Sequence, residues 1–151
     1  MSALGLLLTL TASWTPPGHV DARDHPSPEE GAAAFALMER ALVRGFDDIC
    51  GDTFCEGDFG NLRAMQLRCS VDRAAGTVTA CTWSFAGSYA FVLEGAGPAP
   101  VVESRTWACP LPVVPGTPLR LLLAALSGRE ALDTPLPGSR QSPYEALADC
   151  L

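Results

Sequence analysis

The chain has 151 residues, 48% of them hydrophobic and 18% charged, which suits one globular domain and excludes a disordered chain. All ten basic residues are arginine, and seventeen Asp and Glu residues leave a formal net charge of -7. This acidity argues against binding to nucleic acid or to an anionic membrane surface. The two histidines, His19 and His25, both precede the predicted domain.

The N-terminal segment has the pattern of an export signal. Residues 3–12 form an apolar run that is too short to span a bilayer. Val20 and Ala22 are small residues spaced as at a signal-peptidase site. We therefore predict a signal peptide at residues 1–22, a flexible leader at 23–26, and a secreted or periplasmic mature chain without a membrane span. A buried N-terminal helix is the alternative interpretation of the apolar run.

The first element of the predicted domain is a helix. Ser27 and Pro28 form an N-cap and a first-turn proline, and Glu30 stands at the third helical position. Apolar residues then follow at spacings of three and four, which predicts one buried helical face ending near Gly45. This face consists of Phe35, Met38, Leu42 and Phe46.

Between residues 62 and 109 the hydrophobic period changes to two, which is typical of strands. A three-residue turn with a left-handed Gly76 pairs Arg73 with Thr77. Counting back from this turn in antiparallel register places Cys69 opposite Cys81. The same register sets three further pairs, namely Val71 with Thr79, Leu67 with Trp83, and Met65 with Phe85. The second strand keeps its phase beyond Gly87, so this glycine bends the strand rather than ending it.

Two shorter helices follow the predicted strands. Thr117 and Pro118 open one, and Ser142 caps a short terminal one. The sequence thus predicts a single α+β domain over residues 27–151, with an N-terminal helix packed on an antiparallel β-meander, one or two C-terminal helices, and disulfide staples. This order of elements resembles cystatin-like folds, in which a helix crosses a curved sheet. The resemblance is one of topology and implies no function.

The six cysteines allow fifteen pairings, and the predicted elements select one set. The hairpin register pairs Cys69 with Cys81, and the short loop after the first helix closes between Cys50 and Cys55. Cys109 and Cys150 then pair by elimination. A redox role for Cys50 is disfavoured, because it follows the C-terminus of a helix, whereas reactive thiols favour the N-terminus.

An acidic segment follows the first helix. Carboxylate oxygens on a glycine-containing loop suit calcium, although the spacing of an EF-hand is missing. A solvated loop whose aspartates cap local turns is the other interpretation. The candidate calcium site is loop 47–58, with five candidate ligands: Asp47, Asp48, Asp52, Glu56 and Asp58.

A second candidate site is aromatic. Packing in the sheet core explains these residues, but an apolar groove would remain if the helix covered only part of their face. Four of them share one phase of the second strand, and the fifth lies on the third strand: Trp83, Phe85, Tyr89, Phe91 and Trp107.

The chain offers few side chains suited to catalysis. It has no lysine, no histidine in the predicted domain, and no G-x-S-x-G, P-loop or dinucleotide-binding motif. We therefore predict a non-catalytic exported protein that binds another protein or a small ligand, or that serves as an envelope component. The alternatives are a calcium-binding exported domain and a secreted hydrolase that uses two carboxylates.

Overall fold

The computed structural model describes residues 18–151, so most of the predicted signal peptide lies outside the described residues. The described chain forms the predicted α+β fold, with a helix, an antiparallel meander and C-terminal helices. No helix of this part of the chain combines the length and the apolar character needed to cross a membrane. In chain order the elements are β1 (His19–Asp21), a 3₁₀ helix (Ala22–Asp24), α1 (Pro28–Cys50), β2 (Arg63–Asp72), β3 (Thr77–Phe91), β4 (Val101–Leu111), β5 (Thr117–Pro118), α2 (Leu119–Leu126) and α3 (Pro143–Ala148).

Helix α1 begins as predicted but runs further. The Ser27 hydroxyl accepts a hydrogen bond from the Glu30 N–H, and the four predicted apolar residues are fully buried. The helix continues past Gly45 to Cys50. Gly45 does not end the helix; it allows close packing at this turn. A Cβ at Gly45 would lie 3.0 Å from Cβ of Leu132, so glycine lets the segment after α2 approach this turn closely.

The sheet has the strand order β1-β2-β3-β4, all antiparallel, and β5 pairs with the start of β3. The predicted pairs Cys69–Cys81 and Leu67–Trp83 are confirmed. Strand β3 also runs through Gly87 without a break, as predicted. Helix α1 covers the inner face of the sheet, where the Phe46 ring lies 5.0 Å from the Phe85 ring.

The predicted register is wrong at both ends of the first hairpin. Near the turn, Val71 lies opposite Val78 instead of Thr79, and Asp72, not Arg73, faces Thr77. A bulge at Thr79 changes the phase of β3, so both valines are fully buried. The Thr79 hydroxyl stabilises the bulge by donating to the Ser70 carbonyl at 2.9 Å.

At the other end, Ala64 lies opposite Phe85, where Met65 was expected. Met65 and Gln66 form a second bulge, and the Met65 side chain is 56% exposed instead of buried. The Ser84 hydroxyl holds this bulge, because it accepts from the Gln66 N–H at 3.2 Å and donates to the Gln66 carbonyl at 3.1 Å. A polar side chain on β3 thus replaces the missing ladder bonds.

All three predicted disulfides are present, and they include every cysteine of residues 18–151. Cys50–Cys55 closes the loop at the end of α1, and Cys69–Cys81 joins β2 to β3. Cys109–Cys150 ties β4 to the residues that follow α3.

The residues assigned to the end of the signal peptide and to the leader belong to the fold. Val20 pairs with Val71 through β1, and Ala22 is 1% exposed. The backbone after the 3₁₀ helix packs on α1 so closely that a Cβ at Gly31 would lie 2.5 Å from the His25 carbonyl oxygen. A chain cut after Ala22 would therefore lose a strand and a buried contact.

Candidate functional site

An open groove of about 780 Å³ lies between α1 and the outer edge of β2. We call it the α1–β2 groove. It exists because β1 covers only the end of β2, pairing with Ser70 to Asp72. Its apolar contacts come from Val43 on α1 and from Ala64 and Met65 on β2. Its charged residues are Arg23, Glu39, Arg40, Arg44, Asp47, Asp48 and Arg68.

One end of the groove is held by a polar network. The Arg68 guanidinium lies 3.4 Å from the Asp21 carboxylate and 3.6 Å from that of Glu39. Glu39 also accepts a hydrogen bond from the Leu67 N–H at 3.0 Å, so a helix side chain binds the outer edge of β2. This network fixes α1, β1 and β2 relative to one another at the point where β1 ends.

The remaining arginines of the groove have no such partners. Arg23, Arg40 and Arg44 form no ion pair with any carboxylate of residues 18–151. Arg40 and Arg44 are exposed and one helical turn apart on α1, so their side chains share a face of the helix. The groove thus places three unpaired guanidinium groups together on a protein whose formal net charge is -7.

The five acidic residues of the predicted segment lie in two different places. Asp47 and Asp48 lie on the last turns of α1 and border the α1–β2 groove, whereas Asp52, Glu56 and Asp58 lie in the exposed loop after α1. Within residues 18–151, no three His, Cys, Asp or Glu side chains lie close enough to hold a metal ion. Calcium binding by the five carboxylates stays a prediction.

The predicted aromatic residues share one face of the sheet, and a further aromatic side chain packs against two of them. Trp83 and Phe85 are fully buried under α1. Phe59, from the loop after α1, packs edge-on against Tyr89 at 5.5 Å and Trp107 at 5.2 Å between ring centroids. Phe59 is not among the aromatic residues predicted from the sequence. Its position depends on Gly87, where a Cβ would lie 3.3 Å from the Phe59 Cβ.

Tyr89 and Glu103 form a polar contact beside this aromatic cluster. The Tyr89 hydroxyl donates to the Glu103 carboxylate at 3.0 Å, a cross-strand pair of β3 and β4. This hydrogen bond raises the pKa of Tyr89, and the negative charges of Glu103 and Asp58 act in the same direction. The tyrosine is therefore a neutral hydrogen-bond donor at physiological pH.

His25 was expected in a flexible leader, but it packs against the folded domain. It lines a second cavity of about 440 Å³ at the turn between β2 and β3, with Glu30 and Arg120. The residues of this cavity include no Ser, Thr or Cys that could act as a nucleophile beside the imidazole.

Models of known protein families, curated proteins and solved structures give no match to this chain. The α1–β2 groove presents guanidinium groups, which pair with carboxylates, beside an unpaired strand edge, which offers free main-chain hydrogen-bonding groups.

Proposed function

We propose that this protein is an exported, non-catalytic binding module whose ligand is an extended, acidic segment of a partner protein, bound in the α1–β2 groove. The observation that carries this proposal is the group of three unpaired arginines, Arg23, Arg40 and Arg44, beside an uncovered strand edge. Three disulfides support the exported location, because such bonds persist in oxidising compartments.

The arginines favour carboxylates as the partner chemistry. Each guanidinium group presents a planar set of donors that matches a carboxylate in a bidentate pair. Asp47 and Asp48 stand at the same groove, so they disfavour a ligand of uniformly high negative charge and restrict where its acidic residues bind. A segment with spaced carboxylates fits this arrangement better than a polyanion.

The strand edge favours an extended backbone. Among residues 18–151, no strand pairs with the outer edge of β2 between Arg63 and Cys69. The Leu67 N–H on this edge is bound by Glu39, and both main-chain groups of Gln66 are bound by Ser84, so the free stretch runs from Arg63 to Met65. A peptide laid beside this stretch would add main-chain hydrogen bonds, as in other complexes formed by strand addition. The exposed Met65 side chain would pack on it.

Fluorescence anisotropy with three labelled peptides tests the proposal. The peptides alternate valine with glutamate, serine or lysine, and we expect the glutamate peptide to bind most tightly. The double variant Arg40→Glu/Arg44→Glu should weaken its binding about tenfold or more, since a charged hydrogen bond contributes about 1.5–3 kcal/mol. The matched control is Arg129→Glu/Arg140→Glu, which changes net charge equally at exposed positions outside the groove.

Two results would contradict the proposal. The first is equal affinity for the three peptides. The second is equal weakening by the groove variant and its control, which would indicate general attraction and not a site. Turnover of hydrolase substrates that is abolished by Glu56→Gln or Asp58→Asn would instead support the alternative of a carboxylate enzyme.

A further inference from the structure

Strand β4 forms the outer edge of the sheet on the side opposite to β1. Its 11 residues pair with β3 on one side, and no strand of residues 18–151 pairs with its other side. The side chains from Val101 to Thr106 are all exposed, and Val102 is 65% exposed. A long unpaired edge that carries apolar side chains favours pairing with another strand.

The charges on this edge are complementary to themselves. Glu103 and Arg105 are two residues apart, so they lie on the same face of the sheet. If a second copy of β4 ran antiparallel to the first about a two-fold axis at Ser104, each Glu103 would lie directly opposite Arg105 of the second copy. Charged residues on an edge normally prevent pairing, but this symmetry makes both cross-strand pairs attractive.

The same charges exclude the neighbouring registers. A two-fold axis at residue 103 would place two glutamates opposite each other, and an axis at residue 105 would place two arginines opposite each other. Like charges directly opposite on adjacent strands are destabilising. The axis at Ser104 is therefore the register that the charge pattern selects, in the manner of an isologous interface.

The remaining pairs of this register are compatible with a sheet. Val102 would lie opposite Thr106 on one face, and both are β-branched residues that suit strands. Val101 would lie opposite Trp107 on the other face. Contacts within each chain hold the Glu103 and Arg105 side chains in place. The Tyr89 hydroxyl donates to Glu103 at 3.0 Å, and the Arg105 guanidinium lies 4.9 Å from the centre of the Trp107 ring.

We infer that the occupant of this edge is a second copy of the chain, and that two copies pair through β4 in antiparallel register about Ser104. The two sheets then form one continuous sheet with β1 at each outer end. This interface lies on the opposite edge of the sheet from the α1–β2 groove, so the dimer leaves both grooves open.

Sedimentation velocity over a concentration series tests this inference by charge reversal. The wild-type protein should be a dimer. Glu103→Arg places arginine opposite arginine and Arg105→Glu places glutamate opposite glutamate, so each variant should raise the dimer dissociation constant about tenfold or more. Glu130→Arg and Arg129→Glu are the matched controls at exposed positions of another surface, and they should leave the dimer unchanged.

Mixing the two interface variants gives the decisive result. Both arginines of the Glu103→Arg chain would then face the two glutamates of the Arg105→Glu chain, so the mixture should form a heterodimer although each variant alone is a monomer. The double variant Glu103→Arg/Arg105→Glu should also dimerise. A monomeric wild type, dimeric single variants, or a mixture that stays monomeric would each overturn the inference. Circular dichroism verifies that each variant is folded.

Discussion

Removal of the Cys109–Cys150 disulfide should destabilise the protein more than removal of either of the other two. This bridge spans 41 residues along the chain, whereas Cys69–Cys81 spans 12 and Cys50–Cys55 spans 5. In the chain-entropy account, a disulfide stabilises by restricting the unfolded chain, and the effect grows with the length of the closed loop. The expected losses are about 4, about 3 and about 2 kcal/mol in that order.

Packing should increase this difference. Cys109 is fully buried, so Cys109→Ala also removes a sulfur atom from the core, while Cys55 at the short loop is only half-buried. The bridge also fixes α3, a helix of 6 residues that is too short to be stable alone. In the variant Cys109→Ala/Cys150→Ala, amide hydrogen exchange in α3 should accelerate before that of α1.

Urea unfolding of the three paired Cys→Ala variants measures these losses. The fluorescence of Trp83 and Trp107 reports on the core, because both side chains are at most 9% exposed. Each variant loses two cysteines, so the three variants serve as controls for one another. A loss for Cys50→Ala/Cys55→Ala that equals or exceeds the loss for Cys109→Ala/Cys150→Ala would refute the dependence on loop length.

Three further predictions concern local features. Gly76→Ala should lower the free energy of unfolding by about 1–2 kcal/mol, since Gly76 has a φ of 66° and alanine is strained there. The control is Gly128→Ala, whose added Cβ would have no atom within 4 Å, and it should be nearly neutral in the same urea titration. Ser142→Ala should cost about 1 kcal/mol by removing the capping box of α3, and an unchanged unfolding midpoint would contradict this. The Asp72 carboxylate accepts hydrogen bonds from the N–H groups of Ala75 and Ala74, which hold its pKa below the usual 3.8. The stabilising effect of the charged carboxylate is therefore complete above pH 3.8 and is lost as the pH falls through the lowered pKa. The difference in unfolding free energy between Asp72→Asn and wild type should disappear in strong acid. A difference that stays constant with pH would refute this role of Asp72.

The centre of the first hairpin could be predicted from the alternation of apolar residues, which pairs Cys69 with Cys81. The predicted turn is one residue too short, because Asp72 and not Arg73 faces Thr77, and the bulge at Thr79 restores the expected pairing at the centre. The ends of the hairpin could not be predicted, because each bulge depends on a side-chain hydrogen bond across the strands. The hydroxyls of Thr79 and Ser84 supply these bonds, and their partners are known only once the strands are paired.

The α1–β2 groove could not be predicted for a similar reason. It arises where β1 ends, and this strand lies in a segment whose sequence has the pattern of a signal peptide. The pattern of small residues at Val20 and Ala22 suits a processing site and a packed strand equally well. Likewise, Phe59 packs against Trp107 from a loop without periodicity, so nothing in the neighbouring sequence indicates this contact.

The placement of the three disulfides has a consequence for a chain that encounters proteases. The turn at residues 73–76 and the loop at 127–141 both lie inside covalent rings, closed by Cys69–Cys81 and Cys109–Cys150. One cleavage in either segment leaves all parts of the molecule connected. The exposed connection at residues 92–100, between β3 and β4, lies outside every ring. A single cut there separates the molecule into two covalently independent pieces, which are held together by the pairing of β3 with β4 and β5 and by the core.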